Sequence, residues 1–268
     1  MEATLELLGT GSSNGVPQVG CDCERCRSTD PRDKRSRTSA FIKFNDKSIL
    51  IDCSPELHDQ AVNYNIMSID AVLITHVHAD HVFGIDDLRS YSRTKKIPMY
   101  STQEFIDEIR QCFSYIFTQS SQIGGGKPTL ELEPIKGTFD CLDIKVTAVP
   151  IIHGAIDIVG YRFNSFAYIT DCSKIPEESY ELLKGIDTLF INAIGSIPHH
   201  SHMSIYQTLD EIEKIGGIKR AFIIHISHQC SHMELEAIVK DEIAKRPKLK
   251  DTTVTIGYDG LVLDGLFV

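Results

Sequence analysis

The chain has 268 residues, 42% hydrophobic and 24% charged, with 27 basic against 37 acidic side chains and a formal net charge of −10. That length suits one compact α/β unit spanning residues 1–268, with ample core, rather than two large domains. The acidic balance disfavours a nucleic-acid footprint, which wants a basic face, and no apolar stretch approaches the ~20 residues that cross a bilayer. Met1-Glu2-Ala3-Thr4-Leu5-Glu6 lacks a basic start followed by an apolar run, so a soluble cytoplasmic protein with no membrane partner is expected. Eight cysteines then need a role other than disulfides.

Residues 4–8 predict a strand that runs into a turn-rich loop from 9 to about 37. Segments 40–44 and 48–52 predict a hairpin across Asn45-Asp46. Pro55 suits a first helical residue, and a helix is expected from there to before Ile69. Strand 71–75 leads into a His-rich turn and a helix from about 80 to 92. Ser101-x-x-Glu104 has the form of a capping box opening a helix to about 117, and Gly124-Gly125-Gly126-Lys127-Pro128 predicts a break. Strands follow at 129–133, 144–149, 159–163 and 166–170. The last third alternates helices at 176–184, 204–215 and 231–244 with strands at 188–192, 220–225 and 254–256. Ser204-x-x-Gln207 and Ser231-x-x-Glu234 are two more capping boxes. Both halves run from strands to helices, a rhythm that two mixed sheets packed together with helices outside would accommodate.

The chemistry concentrates where the run Ala71-Val72-Leu73-Ile74 enters Thr75-His76-Val77-His78-Ala79-Asp80-His81. Three imidazoles and a carboxylate after a buried strand are costly to desolvate unless a cation compensates them together. His76 and His78 are two apart and point the same way in extended backbone, whereas Asp80 and His81 follow a turn. That favours two neighbouring pockets, because one tetrahedral ion cannot use four loop ligands and stay open. His153, Asp171 and His225 each follow an apolar strand, as α/β folds place their sites. Nitrogen and carboxylate donors suit zinc or manganese, and two such ions can share and activate a water.

This series resembles the metallo-β-lactamase fold superfamily along essentially the whole chain. The resemblance implies a four-layer αββα sandwich, two mixed β-sheets flanked by helices. It further implies one metal held by His76, His78 and His153, a second by Asp80, His81 and His225, and Asp171 bridging both. Asp80 and Asp171 thereby belong to the catalytic centre, and Asp52 matches an aspartate that braces the site without binding metal.

Cys21-x-Cys23-x-x-Cys26, in a loop at about 20–27, presents three thiols that need a fourth ligand to close a structural zinc site. His228 is the best candidate and His232 the alternative. With Gly9-Thr10-Gly11-Ser12-Ser13-x-Gly15-Val16-Pro17 and His225-Ile226-Ser227-His228-Gln229, this looks like the family of the phosphoribosyl 1,2-cyclic phosphate phosphodiesterase of phosphonate breakdown. The resemblance implies a further histidine at the substrate phosphate. His202 matches best, and His199 and His200 lie near enough to confuse the assignment. A protonated His202 would stabilise the transition state or protonate the departing alkoxide. The family usually carries Asp where this chain has Asn192. Cys53, Cys112, Cys141, Cys172 and Cys230 are expected to be small buried hydrophobes, and His58 to face solvent.

The expectation is a phosphoric diester hydrolase acting on a small, cyclic phosphate ester by a metal-bridged hydroxide. Dimerisation is implied by the superfamily. The alternatives are a tRNA 3′-end endonuclease, which wants a Gly/Pro-rich arm and a basic surface, and a factor resembling the pyrroloquinoline quinone biosynthesis protein, whose relatives lack the full His-x-His pair.

Overall fold

Strands β10 to β12 illustrate how the sequence dictates the architecture. In β10 (Phe166–Ile169), β11 (Thr188–Asn192) and β12 (Arg220–Ile224) nearly every residue is buried, because alternate side chains enter different cores. Phe166, Tyr168, Phe190, Phe222 and Ile224 face a second sheet, while Ala167, Ile169, Leu189, Ile191, Ala221 and Ile223 face helices. Burial on both faces produces unbroken apolar runs.

The computed structural model describes residues 1–118 and 126–268; Gly124 and Gly125 of the expected break lie outside the described residues. Chain order begins with β1 (Glu2–Gly9), β2 (Ser39–Phe44), β3 (Lys47–Ile51), α1 (Leu57–Asn63), β4 (Ala71–Leu73), α2 (Ala79–Val82), β5 (Ile97–Ser101), α3 (Gln103–Cys112), α4 (Ser114–Phe117) and β6 (Leu130–Pro134). It continues through β7 (Thr138–Cys141), β8 (Ile144–His153), β9 (Ile156–Arg162), β10, α5 (Glu177–Leu183), β11, α6 (Ile205–Ile215), β12, α7 (His232–Ala244), β13 (Thr253–Ile256) and β14 (Leu261–Phe267). Two seven-stranded sheets result, ordered β14-β1-β2-β3-β4-β5-β6 and β13-β12-β11-β10-β9-β8-β7. Each passes from antiparallel to parallel pairing, at β3 and at β10 respectively. One apolar cluster fills the space between the sheets, and two more lie under the helices, giving the four-layer sandwich. Among the described residues no helix is long and apolar enough to cross a membrane.

Several boundaries depart from expectation for local reasons. The strands expected to reach residues 52 and 225 stop one residue short, because Asp52 and His225 adopt positive φ. The helix expected over 80–92 breaks into α2 and a 3-10 turn, Ile85–Ser90, around Gly84. A Cβ at Gly84 would stand 2.0 Å from the Ser54 carbonyl, so the chain crosses there only as glycine. The cap of α3 is Thr102, which accepts from the Phe105 N–H; Ser101 instead ends β5 and donates to the Ile74 carbonyl. Both later capping boxes form as expected. The unforeseen strands are β5, β7 and β14. Pro98 disguised β5, and Pro150 hid the length of β8; each proline lies beyond the stretch paired with β4 or β7, where a missing N–H is tolerated. Strand β14 returns to pair with β1, so that Met1 and Val268 exchange two backbone hydrogen bonds, of 3.0 and 2.9 Å.

Candidate functional site

The carboxyl ends of the parallel strands meet along one edge of the sandwich. Strand β3 leads to Asp52, β4 to the segment 75–81, β10 to Asp171 and β12 to His225, while β8 ends on His153. Asp52, Asp171 and His225 have φ of 61°, 54° and 56°, a left-handed backbone that side-chain-bearing residues enter sparingly and at a cost of about 1–3 kcal/mol. The kink ends the pleat's alternation where each side chain joins the cluster.

Every residue expected to hold the active-site metals is brought into one of two groups. His76, His78 and His153 present ligand atoms within 4.8 Å of one another, and so do Asp80, His81, Asp171 and His225. In the first group His76 Nε2 lies 3.0 Å from His78 Nδ1. In the second, His81 Nε2 stands 3.3 Å from Asp80 Oδ2 and 3.2 Å from Asp171 Oδ2, and His225 Nε2 is 3.2 Å from Asp171 Oδ1. Asp171 also groups with His153 and His202.

Outer contacts fix how the rings face. His81 Nδ1 meets Asp52 Oδ2 at 2.7 Å, and His153 Nδ1 meets the Ser201 carbonyl at 2.8 Å. His76 Nδ1 lies 3.0 Å from Thr75 Oγ1, whose proton goes to Asp52, and His225 Nδ1 lies 3.1 Å from Thr38 Oγ1, whose proton goes to Gly11. These partners accept, so all four rings donate outward through Nδ1 and present Nε2 inward. Asp52 thus occupies the bracing position, held also by the Thr75 N–H at 2.8 Å.

The electrostatics ask for a cation. Burial pushes the His76 and His225 imidazoles below their ordinary range, leaving them neutral. Burial alone would also lower His81, but Asp171, Asp80 and Asp52 reverse it and hold His81 well above its usual value. Burial would raise Asp171, yet His225 and His81 keep it well below the usual carboxylate range. Asp80 Oδ2, His81 Nε2, His202 Nδ1 and His225 Nε2 are buried without a hydrogen-bond partner. Four such orphans in one place, each costing about 1–3 kcal/mol, fit a divalent metal centre.

His202 is buried beside this centre, its Nδ1 3.8 Å from Asp171 Oδ1 and its ring 4.7 Å from His153. His199 and His200 are exposed at the rim. Burial, then His225, pushes the His202 imidazole down to about 3, so it is neutral in the free protein rather than the expected imidazolium. Asn192, doubtful from sequence, grips the backbone next to Asp171: its Oδ1 accepts from the Cys172 N–H at 2.7 Å and its Nδ2 donates to the Cys172 carbonyl at 3.1 Å. A carboxylate would satisfy only the first. Asn192→Ala strands the buried Cys172 N–H, while the Cys172 carbonyl keeps the Met203 N–H at 2.9 Å, and is expected to destabilise the protein by about 1–3 kcal/mol, measured by denaturant unfolding; a loss under ~0.5 kcal/mol would show the clamp to be idle.

The cysteine loop closes on the far side of the same strand end. The Sγ atoms of Cys21, Cys23 and Cys26 lie 3.4, 3.5 and 3.4 Å from His228 Nδ1. A tetrahedral zinc with ordinary bond lengths sets sulfur and nitrogen about 3.6 Å apart, so the four donors fit such an ion. The Cys26 backbone N–H, with His228, brings the Cys23 thiol down to about 6, near thiolate at neutral pH. His232 is committed elsewhere, to Arg35 at 3.1 Å and Glu236 at 3.2 Å. Of the remaining cysteines, Cys53, Cys141 and Cys172 are buried, but Cys112 is exposed and Cys230 half-buried, correcting the expectation for those two. His58 is exposed beside Asp59. Sequence reasoning missed the supporting roles of Thr38, Thr75 and Ser201; only Thr75, adjoining His76, carried a positional signal.

Residues 47–226 match the Beta-lactamase superfamily domain, and the chain belongs to that family. It is 35% identical to a structure described as a new diphosphatase from the PhnP family, with a TM-score of 0.86, covering 99% of this chain and 98% of the other. Zn(2+)-bound PqqB from Methylobacterium extorquens matches with a TM-score of 0.75 at 18% identity, covering 97% and 99%. The octanoyltransferase of Porphyromonas gingivalis is 40% identical over 260 residues, 95% of this chain; the chain spans 50% of that protein's length. The fold is the metallo-β-lactamase sandwich.

Proposed function

We propose that this chain is a phosphodiesterase hydrolysing a small, cyclic phosphate ester, with two divalent ions, zinc or manganese, in the His/Asp centre and one zinc in the cysteine loop. The observation that carries the reading is the meeting of both donor groups with a buried, unpartnered His202 over Asp171. When bound, the ions supply Lewis acidity and a water acidified toward neutral pH.

The chain's residues do the rest. His76, His78 and His153 form one position, Asp80, His81 and His225 the other, and Asp171 stands within donor reach of His153 as well as His81 and His225, which suits a carboxylate shared between them. Thr75, Asp52, Thr38 and Ser201 hold the rings so that no reorientation is needed during reaction. Neutral His202 donates a hydrogen bond to a phosphoryl or leaving oxygen as charge grows there.

His202→Ala is expected to lower kcat by about 10²–10³-fold while metal content, measured by plasma mass spectrometry, stays at wild-type level. Loss of metal in that variant would overturn the role. A neutral His202 also means that activity does not fall as pH rises through 6.5; a wild-type limb there that vanishes in His202→Ala would restore a cationic role.

The 35% identity to a diphosphatase favours a second reading, cleavage of a phosphoanhydride at the same centre. A substrate panel tests both: five-membered cyclic phosphates, bis(p-nitrophenyl) phosphate, nucleotide diphosphate esters, precursor tRNA and an octanoyl thioester. Fastest turnover of cyclic diesters supports the first reading. Preference for the diphosphates would replace it with the second, and cleavage of tRNA or thioester alone would overturn both.

A further inference from the structure

Beyond β12 the chain runs through residues 225–231 with a regular division of labour. His228 turns toward Cys21, Cys23 and Cys26, whereas its neighbours turn the other way. The Ser227 N–H and Oγ donate to the Ile194 carbonyl at 3.0 and 2.6 Å. Gln229 Oε1 accepts from the Ile197 N–H at 3.3 Å, and its side chain lies so close to Gly195 that a Cβ there would stand 2.4 Å from Oε1. The Cys230 thiol donates to Ser196 Oγ at 3.3 Å.

The segment gripped in this way, 194–197, opens the loop that carries His202. The far end of that loop is tied back to its entry and to β10's end: Ile194 donates to Met203, Ile205 to Gly195, and Met203 to Cys172. Between the two anchors lie exposed Pro198, His199 and His200, of which His199 accepts from the Ser201 N–H at 3.3 Å and sets its ring 5.2 Å from that of His202. The loop makes two deliveries to the active centre, His202 over Asp171 and the Ser201 carbonyl to His153. Its entry point is therefore held by Met203 and Ile205 on one side and by Gln229 and Ser227 on the other, the latter two adjoining His228 of the cysteine cluster.

We infer that Gln229 is a positioning residue, aligning His202 with the reacting centre by clamping Gly195 and Ile197. The inference rests on the proposed action of His202 at the substrate. Gln229 follows the zinc donor His228 in the chain, but its hydrogen bonds go to Ile197 and Ser227, and its own amide needs no ionisation.

The experiment uses the zinc-loaded protein with ring-labelled histidine, and Gln229→Ala and Gln229→Glu variants, the latter keeping the Oε acceptor. In Gln229→Ala the His202 imidazole signals are expected to shift or broaden while those of His58 and His232 stay in place, and Gln229→Glu is expected to restore them. Turnover of bis(p-nitrophenyl) phosphate should fall on the order of tenfold, in kcat rather than KM, since a misplacement of about 1 Å costs that much or more. In a His202→Ala background the same change should cost less than twofold, because the group it aligns is gone. Unmoved His202 signals, or an equal tenfold loss in both backgrounds, would overturn the positioning role. Full turnover in His202→Ala alone would strike the proposed action of His202, while the ring signals would still decide the alignment.

Discussion

Asp171→Ala is expected to abolish turnover, by at least about a thousandfold on bis(p-nitrophenyl) phosphate, and to leave the purified protein short of both active-site ions. Among the described residues, Asp171 is the one side chain within donor reach of His81, His225, His153 and His202. Removing it deletes the carboxylate that both halves of the centre share and leaves His81 facing Asp80 alone across the cleft. The fold should survive, because Asp171 sits at a strand end and not in the apolar layers. Alanine also fits poorly at a φ of 54°, so Asp171→Asn, which tolerates that backbone, separates strain from chemistry. Both variants should lose activity; near-normal turnover with two ions bound would end the bridging role.

Cys26→Ser is the second large effect. Of the three thiols, Cys26 is the buried one, and it also accepts from the Gln18 N–H. Losing a soft donor opens a four-donor set, and the free energy of ion binding is lost from the folded state. A fall in Tm of roughly 10 °C or more is expected, together with loss of one zinc per chain while the His/Asp ions remain. Scanning calorimetry and metal analysis check it. Unchanged Tm with the zinc gone would mean that the loop is held by its other contacts, among them the Arg25–Glu234 pair at 2.6 Å.

Much of this was legible in the sequence because metal donors are chemically distinctive and cluster after apolar runs. The segment 76–81 and the thiols at 21, 23 and 26 announce themselves by spacing. Strands β10, β11 and β12 are plain because burial on both faces leaves no polar interruption. What stayed hidden depends on contacts between residues far apart in the chain. Thr38 meets His225 from 187 positions away, and no local pattern marks a threonine for that task. Asn192 could be doubted but not understood until Cys172 lay beside it. Strands β5 and β14 escaped for different reasons: Pro98 masks the first, and the second is an edge strand with Gly265 within it, defined by its partner β1 more than by its own composition. The charge state of His202 was misjudged because burial, invisible in sequence, outweighs the neighbouring Asp171.

The joined ends of β1 and β14 bear on how the backbone could be reconnected. Thr10 and Gly11 lie against Ile226 beside the active edge, whereas Met1 and Val268 meet at the opposite end of β1, roughly 25 Å away by strand length. A short linker would make the backbone circular there, and new termini could be cut elsewhere without disturbing the reactive mouth.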